Sequence, residues 1–423
     1  MVARPSSDAV RMPDVPVQRR KPRQERSALR QERITQGAVT AISRYGIASI
    51  THRRVAQEAQ VSLAATTYYY QTKSDIIADA SRALLTHYVD AFRRFADRHR
   101  GHAGKPSLGE FAMRLVFNAV GKNSVESLAW CEIILNTARQ PELRDLSRSW
   151  FATLNEVWQE IAQLVGTRDV DQAAISAIDM VIGLLFLVVP LGLSETGLRE
   201  LLLEGPGALP LQPADPANIP TQGGNKARET RERILNAAVQ ILLAEGAEAL
   251  TFRQVSDRTG LTIAAPTYYF SSISALLNAA QLRLFDESKV RYRSVMGGLD
   301  YASLDVSQLV DLTATVFLRE ATEFRNLSLA CYPVYIQSCR DPSLRPGLWA
   351  INAEQWRRWS QVMANVIPYS TPFNAWMTYA VFTGKLIRIL ATGAETRALS
   401  KVRSEFAYDL TALAEGRHWS RFS

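Results

Sequence analysis

The chain has 423 residues and a formal net charge of +8 at pH 7, which makes it long enough for at least two domains. Hydrophobic residues make up 47% and charged residues 21%, the balance of a protein with packed cores and not of a disordered or fibrous chain. Its three cysteines form no CxxC pair, so we expect no metal site, no disulfide framework and a reducing cytoplasm.

The chain opens on a basic segment, residues 1–27, which we expect to be a disordered arm. It lacks the apolar core of a signal peptide, so export is not expected. Residues 1–60 hold twelve Lys and Arg against five acidic residues, a net charge of +7. This excess suits a polyanionic partner, although basic tails are equally often only solvated, and the choice depends on the domain next to the arm.

The chain beyond the arm is built as an internal repeat. Residues 32–39 align with residues 232–239, and the alignment continues at an offset of 200 with roughly a third of positions 32–77 identical. Farther along, Arg139 matches Arg340 and Gly183 matches Gly384 at an offset of 201. A match of this length indicates a tandem duplication. Residues 204–226 between the halves are rich in Pro and Gly and predict a semi-extended linker.

Each half begins with apolar residues at the spacing of an amphipathic helix. This helix should end at Gly46 and at Gly246, because glycine takes the left-handed conformation at low cost. Two short helices come next, and hydroxyl residues are predicted to cap them: Thr51, Ser62, Thr251 and Thr262. Gln254 would complete a capping box with Thr251. A long helix followed by two short ones around a tight turn is a helix-turn-helix, whose last helix reads DNA.

These residues together resemble the TetR family of repressors. In the first half the matching pattern comes after Gly46 and reads Thr51-x-x-x-Val55-Ala56-x-x-Ala59, then Val61-Ser62-Leu63-Ala64-Ala65-Thr66-Thr67-Tyr68-Tyr69-Tyr70-x-x-Lys73-Ser74-x-Ile76-Ile77. The second half has the same outline through Gly260-Leu261-Thr262-Ile263-Ala264-Ala265-Pro266-Thr267-Tyr268-Tyr269-Phe270. Beyond these motifs, each half resembles the family only as a helical domain of suitable length.

The resemblance implies an all-α fold of two TetR-like units, each with a three-helix DNA-binding domain and a helical domain for ligand binding and dimerisation. It implies no cofactor. The corresponding division of the chain is a helix-turn-helix domain at 28–78, a helical domain at 79–203, the linker at 204–226, a second helix-turn-helix domain at 227–278 and a second helical domain at 279–423. Entry of a small molecule would release DNA or, in some members, promote binding.

The second half differs from the first in residues and in net charge, and these differences predict weaker DNA binding. Pro266 stands early in its reading helix, and Ile273 replaces the basic Lys73. Residues 226–260 carry a net charge of +1, where residues 26–60 carry +4. The first half has a departure of its own, since Gln60 replaces the glycine usual in the turn.

Basic and tyrosine side chains are expected to contact the phosphate backbone. They are Arg23, Arg26, Arg30, Arg33, Arg53, Arg54, Lys73 and Arg253, with one tyrosine from each of the pairs Tyr68–Tyr69 and Tyr268–Tyr269. Adjacent helical residues point ~100° apart, so the other tyrosine of each pair should pack inward. Thr51 and Thr251, at helix starts, belong to the same surface.

Base reading is assigned to four positions in each reading helix. They are Ser62, Leu63, Ala65 and Thr66 in the first half, and Thr262, Ile263, Ala265 and Pro266 in the second. Such side chains suit thymine methyl groups and hydroxyl hydrogen bonds better than guanine recognition by arginine. Because the two sets differ at three of four positions, we expect an approximately palindromic operator with unequal half-sites.

The helical domains offer aromatic side chains to a small, apolar effector. The candidates are Trp130, Trp158, Tyr332, Tyr335 and Trp359. Aromatic residues at helical spacing are also the ordinary content of a core, and that alternative stays open. Glu132 and Glu323 would either pair with a cationic ligand or form salt bridges. Asp179 and Arg388 are expected to face each other where the two halves join.

The sequence shows no P-loop, GxSxG or HExxH pattern, so an enzyme is not expected. The apolar run at 180–190 is shorter than the ~18 residues that span a bilayer, so no membrane contact is expected. We predict a repressor that binds double-stranded DNA as a single-chain pseudo-dimer under ligand control. Two alternatives remain open: only the first helix-turn-helix binds DNA while the second half is an interaction scaffold, or two chains join as a homodimer.

Overall fold

The computed structural model describes residues 23–100, 106–208, 224–296, 304–367 and 369–416. Across these ranges every regular element is helical and no strand occurs, which confirms the predicted all-α fold. The helices of the first unit are α1 Arg23–Tyr45, α2 His52–Ala59, α3 Leu63–Tyr69, α4 Lys73–His99, α5 Leu108–Val120, α6 Ser124–Arg139, α7 Arg144–Leu164, α8 Val170–Leu187 and α9 Glu195–Glu204.

The second unit repeats this order. Its helices are α10 Asn225–Ala244, α11 Phe252–Thr259, α12 Ala264–Tyr269, α13 Ile273–Met296, α14 Val306–Ala321, α15 Arg325–Gln337, α16 Arg345–Val366, α17 Pro372–Thr392, α18 Thr396–Leu399 and α19 Val402–Ala414. Helices α1 to α8 therefore correspond one to one with α10 to α17.

One predicted boundary is wrong. Helix α1 already begins at Arg23, so the last residues of the predicted 1–27 arm are helical. The stretch from 23 to 33 consists largely of Arg, Gln, Glu, Leu and Ala, which are good helix formers, and Glu25 lies favourably in the first turn. Residues 1–22 of the arm and 209–223 of the linker lie outside the described residues.

The two units join through α8 and α17, which make the most extensive helix–helix contact. They cross at Gly183 and Gly384, which occupy equivalent positions in the two repeats. A Cβ atom on Gly183 would overlap the carbonyl oxygen of Ala380, and one on Gly384 would overlap that of Asp179. Glycine at both positions therefore lets the two backbones touch.

The apolar stretch in α8 is longer than the run at 180–190 suggested. Val170–Leu191 is the one described segment that is long and apolar enough to cross a membrane, and 83% of its most apolar window is buried inside the protein. Burial of this extent is the packing of a core helix.

Charged residues also meet at the join between the units. The expected pairing of Asp179 with Arg388 is confirmed: Nε and Nη2 of the arginine lie 2.7 Å and 2.9 Å from the two carboxylate oxygens. Lys385, fully buried, places Nζ 2.8 Å from Asp179 and 2.7 Å from Glu405. Charges taken out of water need such partners. The acid comes from α8 and the two bases from α17, so the contact joins two different helices.

The hydrophobic core is divided unevenly. One continuous cluster runs through the first helix-turn-helix domain and both helical domains. The second helix-turn-helix domain closes around a smaller, separate cluster, which includes Leu235 and Phe270 and also Ala330 and Val334 of α15. The first domain is therefore tied more closely to the body of the protein than the second.

Candidate nucleic-acid interface

The helices α1–α3 and α10–α12, called here the first head and the second head, each form a helix-turn-helix. Helix α2 starts at Thr51, whose hydroxyl accepts from the amide of Arg54 at 3.2 Å. Helix α11 starts in the same way at Thr251. Ser62 caps α3 by accepting from the amide of Ala65. These three predicted caps are confirmed, and each satisfies an amide that the helix start leaves unpaired.

Two predicted caps in the second head are wrong. Helix α12 begins after Ile263, and no side chain caps it, so Thr262 does not have the role of Ser62. The side chain of Gln254 donates to Glu245 at 3.1 Å instead of returning to Thr251. Pro266 lies in the first turn of α12, where it supplies no amide to a cap.

An arginine from the long helix holds the turn between the short helices. Gln60, in the turn, has a φ of 52°, and Nη2 of Arg33 donates to the carbonyls of Gln60 and Ala59, both at 3.1 Å. Arg233 makes the matching contact in the second head. Arg33 thus satisfies carbonyls at the end of α2, while its side chain is exposed, and its contact with phosphate stays a prediction.

Each reading helix exposes one face to solvent. In the first head this face consists of Ser62, Leu63, Ala64, Thr67 and Tyr68, and in the second of Thr262, Ile263, Ala264, Thr267 and Tyr268. Leu63 is 50% and Tyr68 81% exposed, and their counterparts Ile263 and Tyr268 are 59% and 79% exposed. Large apolar and aromatic side chains held outward together mark a contact surface.

Two predicted base-reading residues are not on this face. Thr66 is completely buried, and its hydroxyl donates to the carbonyl of Leu63 at 2.8 Å. Pro266 is buried as well. Ala65 and Ala265 are half-buried against their heads. The prediction is wrong for Thr66 and Pro266. The two alanines lie at the edge of the exposed face.

Helical geometry explains the error. At 100° per residue, positions 63, 64, 67 and 68 fall within an arc of about 140°, whereas 65, 66 and 69 fall on the opposite side. Ala64 and Thr67 were therefore missed, although the period of the helix would have found them. With the face corrected, the two heads differ only at 62/262 and 63/263.

The tyrosine pairs divide as expected in both heads. Tyr68 and Tyr69 have ring centroids 5.1 Å apart in an edge-to-face contact, as do Tyr268 and Tyr269. The first of each pair is exposed, while the second packs partly buried against its head. Tyr69 also hydrogen-bonds the hydroxyl of Ser27 at 2.8 Å. The outward tyrosines are therefore the ones available to a phosphate.

The basic residues vary in accessibility. Arg26, Arg30, Arg53 and Arg253 are exposed, while the side chain of Arg23 lies outside the described part of the chain. Two others are engaged within the protein. The guanidinium of Arg54 lies 4.7 Å from the ring centroid of Tyr45 and donates to the carbonyl of Ser49.

Lys73 is the second basic residue engaged within the protein. Its Nζ donates to the carbonyl of Ala48 at 2.8 Å. Burial lowers the pKa of Lys73, and Glu248 of the second unit acts in the opposite direction. The ammonium group thus lies at the α1–α2 turn, near the second head.

A polar network that the sequence did not reveal fixes α3 in the first head. The hydroxyl of Tyr70 donates to Asp79 at 2.5 Å, and that of Thr35 donates to the same oxygen at 2.7 Å. Burial raises the pKa of Tyr70 to about 12, and the bond to Asp79 adds to the rise. Burial opposes ionisation of Asp79, but the hydroxyl bonds and Arg82 outweigh it and lower the pKa of the carboxyl.

Each head also accepts hydrogen bonds from an arginine of the other unit. Arg340, just beyond α15, donates through Nε to the carbonyl of Ser43 at 2.8 Å and through Nη2 to Glu132 at 2.5 Å. The other oxygen of Glu132 accepts from the amide of Ile47. The end of α1 is therefore held from both units. Glu132 and Glu323 both form salt bridges, the latter with Arg319, so the cationic-ligand alternative is not needed.

The reciprocal contact comes from Arg139 at the end of α6. Its guanidinium donates to the carbonyls of Leu329 and Glu245, at 2.5 Å and 3.4 Å. A Cβ on Gly246 would collide with this guanidinium, so glycine is needed there for the close approach as well as for its φ of 94°.

Each helical domain contains a cavity in the equivalent place. The first cavity, about 60 Å³, is lined by Trp130 and Trp158 among others. The second cavity, about 100 Å³, is lined by Tyr332 and Tyr335 among others. Trp359 is not among the lining residues and instead packs against the ring of Phe382. The structure thus brings four of the five candidate ligand residues to cavities.

Two helix-turn-helix heads with exposed reading helices, on helical domains with central cavities, define the class of helix-turn-helix proteins. The family model described as "Tetracyclin repressor-like, C-terminal domain" matches residues 106–204 and again residues 304–412. The model described as "Bacterial regulatory proteins, tetR family" matches residues 234–280, in the second half. The chain belongs to the TetR family and is a DNA-binding transcriptional regulator.

Individual relatives match part of this chain. The HTH-type nicotine-responsive transcriptional repressor HdnoR of Paenarthrobacter nicotinovorans is 27% identical over 136 residues, which are 32% of this chain and 67% of the relative. The crystal structure of multidrug binding protein EbrR complexed with imidazole is 21% identical, covers 43% of this chain and 89% of that chain, and has a TM-score of 0.35. Each match covers less than half of this chain.

Proposed function

We propose that the chain is a cytoplasmic repressor that binds one operator with both heads of a single chain. The observation that carries the proposal is the repeated reading face. Three of its five side chains are identical in the two heads, and the other two are the conservative pairs Ser62/Thr262 and Leu63/Ile263. The contact of α8 with α17 joins the heads within one chain, so a monomer would act as a pseudo-dimer.

The operator is approximately palindromic in this proposal, with half-sites that differ where positions 62 and 63 face the bases. Leu63 and Ile263 would contact thymine methyl groups, which are recognised by apolar side chains in the major groove. Arg53 and Arg253, near the starts of α2 and α11, would contact phosphate on either half-site. The start of α1 would add further phosphate contacts through Arg26, since basic side chains neutralise backbone charge.

Ligand control would pass between the units. Helix α15 lines the second cavity and leads directly to Arg340, which holds α1 of the first head. Helix α6 lines the first cavity and ends at Arg139, which reaches α10 of the second head. A ligand that displaces either helix would therefore act on the head of the other half. Such a contact is a two-state element that a ligand can bias.

The test combines selection of DNA from a random pool with the mass of the purified complex. We expect one chain per operator and two recognisable half-sites. The matched variants Arg53→Ala and Arg253→Ala should each weaken binding and reduce the slope of log affinity against log salt by about one. A complex with two chains per operator would contradict the single-chain proposal.

The rival proposal, in which only the first head binds DNA, predicts a different result from the same variants. It requires Arg253→Ala to leave affinity and salt slope unchanged while Arg53→Ala lowers both. The equal exposure of Tyr68 and Tyr268 favours two working heads. The pair Tyr68→Ala and Tyr268→Ala repeats the comparison at the reading face.

A further inference from the structure

We propose that the second cavity binds a one-ring organic molecule that carries a hydrogen-bond acceptor and no negative charge. This inference deepens the ligand control proposed above and rests on it for its biological role. The cavity lies within the second helical domain and is lined from α13, α14, α15, α16 and α17. Its chemistry differs from that of the first cavity.

The central observation is an unpaired donor. Gln281 lines the cavity and is only 2% exposed, and its Nε2 has no hydrogen-bond partner among the described residues. A buried amide donor without a partner is costly, because it has lost its hydrogen bonds to water. An acceptor on a bound ligand would supply the missing partner.

Comparison of the repeats shows that this amide group has no counterpart in the first unit. In the first unit the position of Gln281 is occupied by Ser81, whose hydroxyl accepts from Nε1 of Trp150 at 2.9 Å. In the second unit Ile351 replaces that tryptophan and also lines the cavity. Ile351 has no polar side-chain atom, and the longer glutamine side chain, with an amide donor that serine lacks, takes the place of serine.

The cavity walls select the rest of the ligand. Tyr332, Tyr335 and Tyr379 present flat aromatic surfaces, and the hydroxyl of Tyr379 donates to Asn352 at 3.2 Å. Aromatic walls favour an aromatic ring. Glu320, 6% exposed, also lines the cavity, where its carboxylate accepts from Ser328. A carboxylate in such a dry site would repel a ligand with a negative charge.

The size of the cavity limits the ligand to one ring. A dry cavity of ~150 Å³ holds a benzene molecule in another protein, whereas this cavity has about 100 Å³. A one-ring ligand would therefore enter only if a wall moved slightly outward. Helix α15 provides three lining aromatic or apolar residues, Leu327, Tyr332 and Tyr335, and Arg340 lies just beyond its end.

The first cavity provides a matched control. It is smaller, about 60 Å³, and three tryptophans line it. Nε1 of Trp130 also has no partner among the described residues, so both cavities contain an unpaired donor. Removing each donor separately shows which cavity receives the ligand.

The experiment measures binding of three probes to the full-length protein by calorimetry. The probes are acetophenone, its hydrocarbon analogue isopropylbenzene, and benzoate. We expect acetophenone to bind with one site per chain and benzoate not to bind. Gln281→Leu should weaken acetophenone binding about tenfold, the size of one hydrogen bond, and leave isopropylbenzene within about twofold. Trp130→Phe should leave acetophenone binding unchanged.

The inference is overturned if acetophenone does not bind, if benzoate binds as well as acetophenone, or if Trp130→Phe and not Gln281→Leu weakens binding. Thermal melting shows that each variant is folded, and Gln281→Met repeats the test with another side chain that lacks the amide. Operator affinity is measured separately with and without acetophenone. Binding without any change in operator affinity would contradict ligand control while supporting the site, and failure to bind would leave the DNA-binding proposal intact.

Discussion

Asp79 determines how firmly the first reading helix is held. It accepts hydrogen bonds from Tyr70, directly after α3, and from Thr35 in α1. The second head has Leu235, Phe270 and Ala279 in the three equivalent positions. The same junction is thus closed by hydrogen bonds in one head and by apolar packing in the other. Each arrangement requires all three of its residues together, because a buried polar group needs its partner.

We expect Asp79→Ala to lower the free energy of unfolding by about 1–2 kcal/mol, because the hydroxyls of Tyr70 and Thr35 would lose their shared acceptor. Urea unfolding followed by circular dichroism measures the change. The triple variant Thr35→Leu, Tyr70→Phe and Asp79→Ala copies the second head and should recover most of the loss. Ala279→Asp is the reverse control and should also destabilise. Unfolding of Asp79→Ala at the wild-type urea concentration would contradict this account.

The arginines at the ends of α6 and α15 make different contacts with the head of the opposite unit. Arg340 bonds both a backbone carbonyl of the first head and the carboxylate of Glu132. Arg139 bonds carbonyls only, and Pro333 stands where Glu132 would be in the second repeat. Both arginines donate charge-assisted hydrogen bonds, but only Arg340 also has a charged acceptor, with which it forms a salt bridge. The connection from the second cavity to the first head is therefore the stronger of the two.

Arg340→Gln should weaken recognition of the half-site read by the first head by about tenfold, within the usual range of coupling between sites. Arg139→Gln, the matched variant, should have a smaller effect and on the other half-site. Binding to operators with one half-site scrambled separates the two effects. An equal loss on both half-sites would indicate general destabilisation and not a directed connection.

At the scale of the whole molecule, the buried charges favour association of unlike helices. The acid Asp179 lies on α8, and Lys385 and Arg388 lie on α17. Pairing of α17 with another α17, as in an exchanged dimer of two chains, would bring Lys385 and Arg388 of both chains together without Asp179, leaving them only the acids of α19. Such a contact costs several kcal/mol. The buried charges therefore favour the contact between the two halves of a single chain.

One member of the buried cluster makes stability depend on pH. Asp409 is 4% exposed, and its nearest cation is Nζ of Lys385 at 3.7 Å. Burial raises the pKa of Asp409 to about 6, with the nearby carboxylates of Asp179 and Glu405 adding to the rise. Burial also acts to raise the pKa of Glu405, but the cations Lys385 and Arg388 outweigh burial and lower this pKa to about 2.

The raised pKa means that the fold favours the neutral form of Asp409. Its contribution is fully present below the unfolded pKa of 3.8 and is lost as pH rises to about 6. We therefore expect Asp409→Asn to stabilise the protein by up to about 3 kcal/mol at pH 7 and hardly at all near pH 4. Glu405→Gln should destabilise at pH 7. Melting curves across this pH range measure both, and a pH-independent gain from Asp409→Asn would contradict the assignment.

The sequence by itself determined the two repeats, the helix-turn-helix in each, the all-α fold and the caps at Thr51, Ser62 and Thr251. These features depend on local periodicity and on side chains bonding to amides three residues away. It also suggested the pairing of Asp179 with Arg388, two charged residues within apolar helices. It placed Thr66 on the reading face wrongly, because the assignment followed chain order and not the 100° rotation of a helix.

Only the tertiary structure decided which residues act between the units. Arg340 reaches Ser43 across 297 positions of the chain, and the amide donor of Gln281 is left unpaired by the side chains that packing places around it. Neither relation leaves a local pattern, since each depends on which side chains packing brings together and which hydrogen bonds it leaves unmade. The cross-connection between cavities and heads is for the same reason a property of the folded chain.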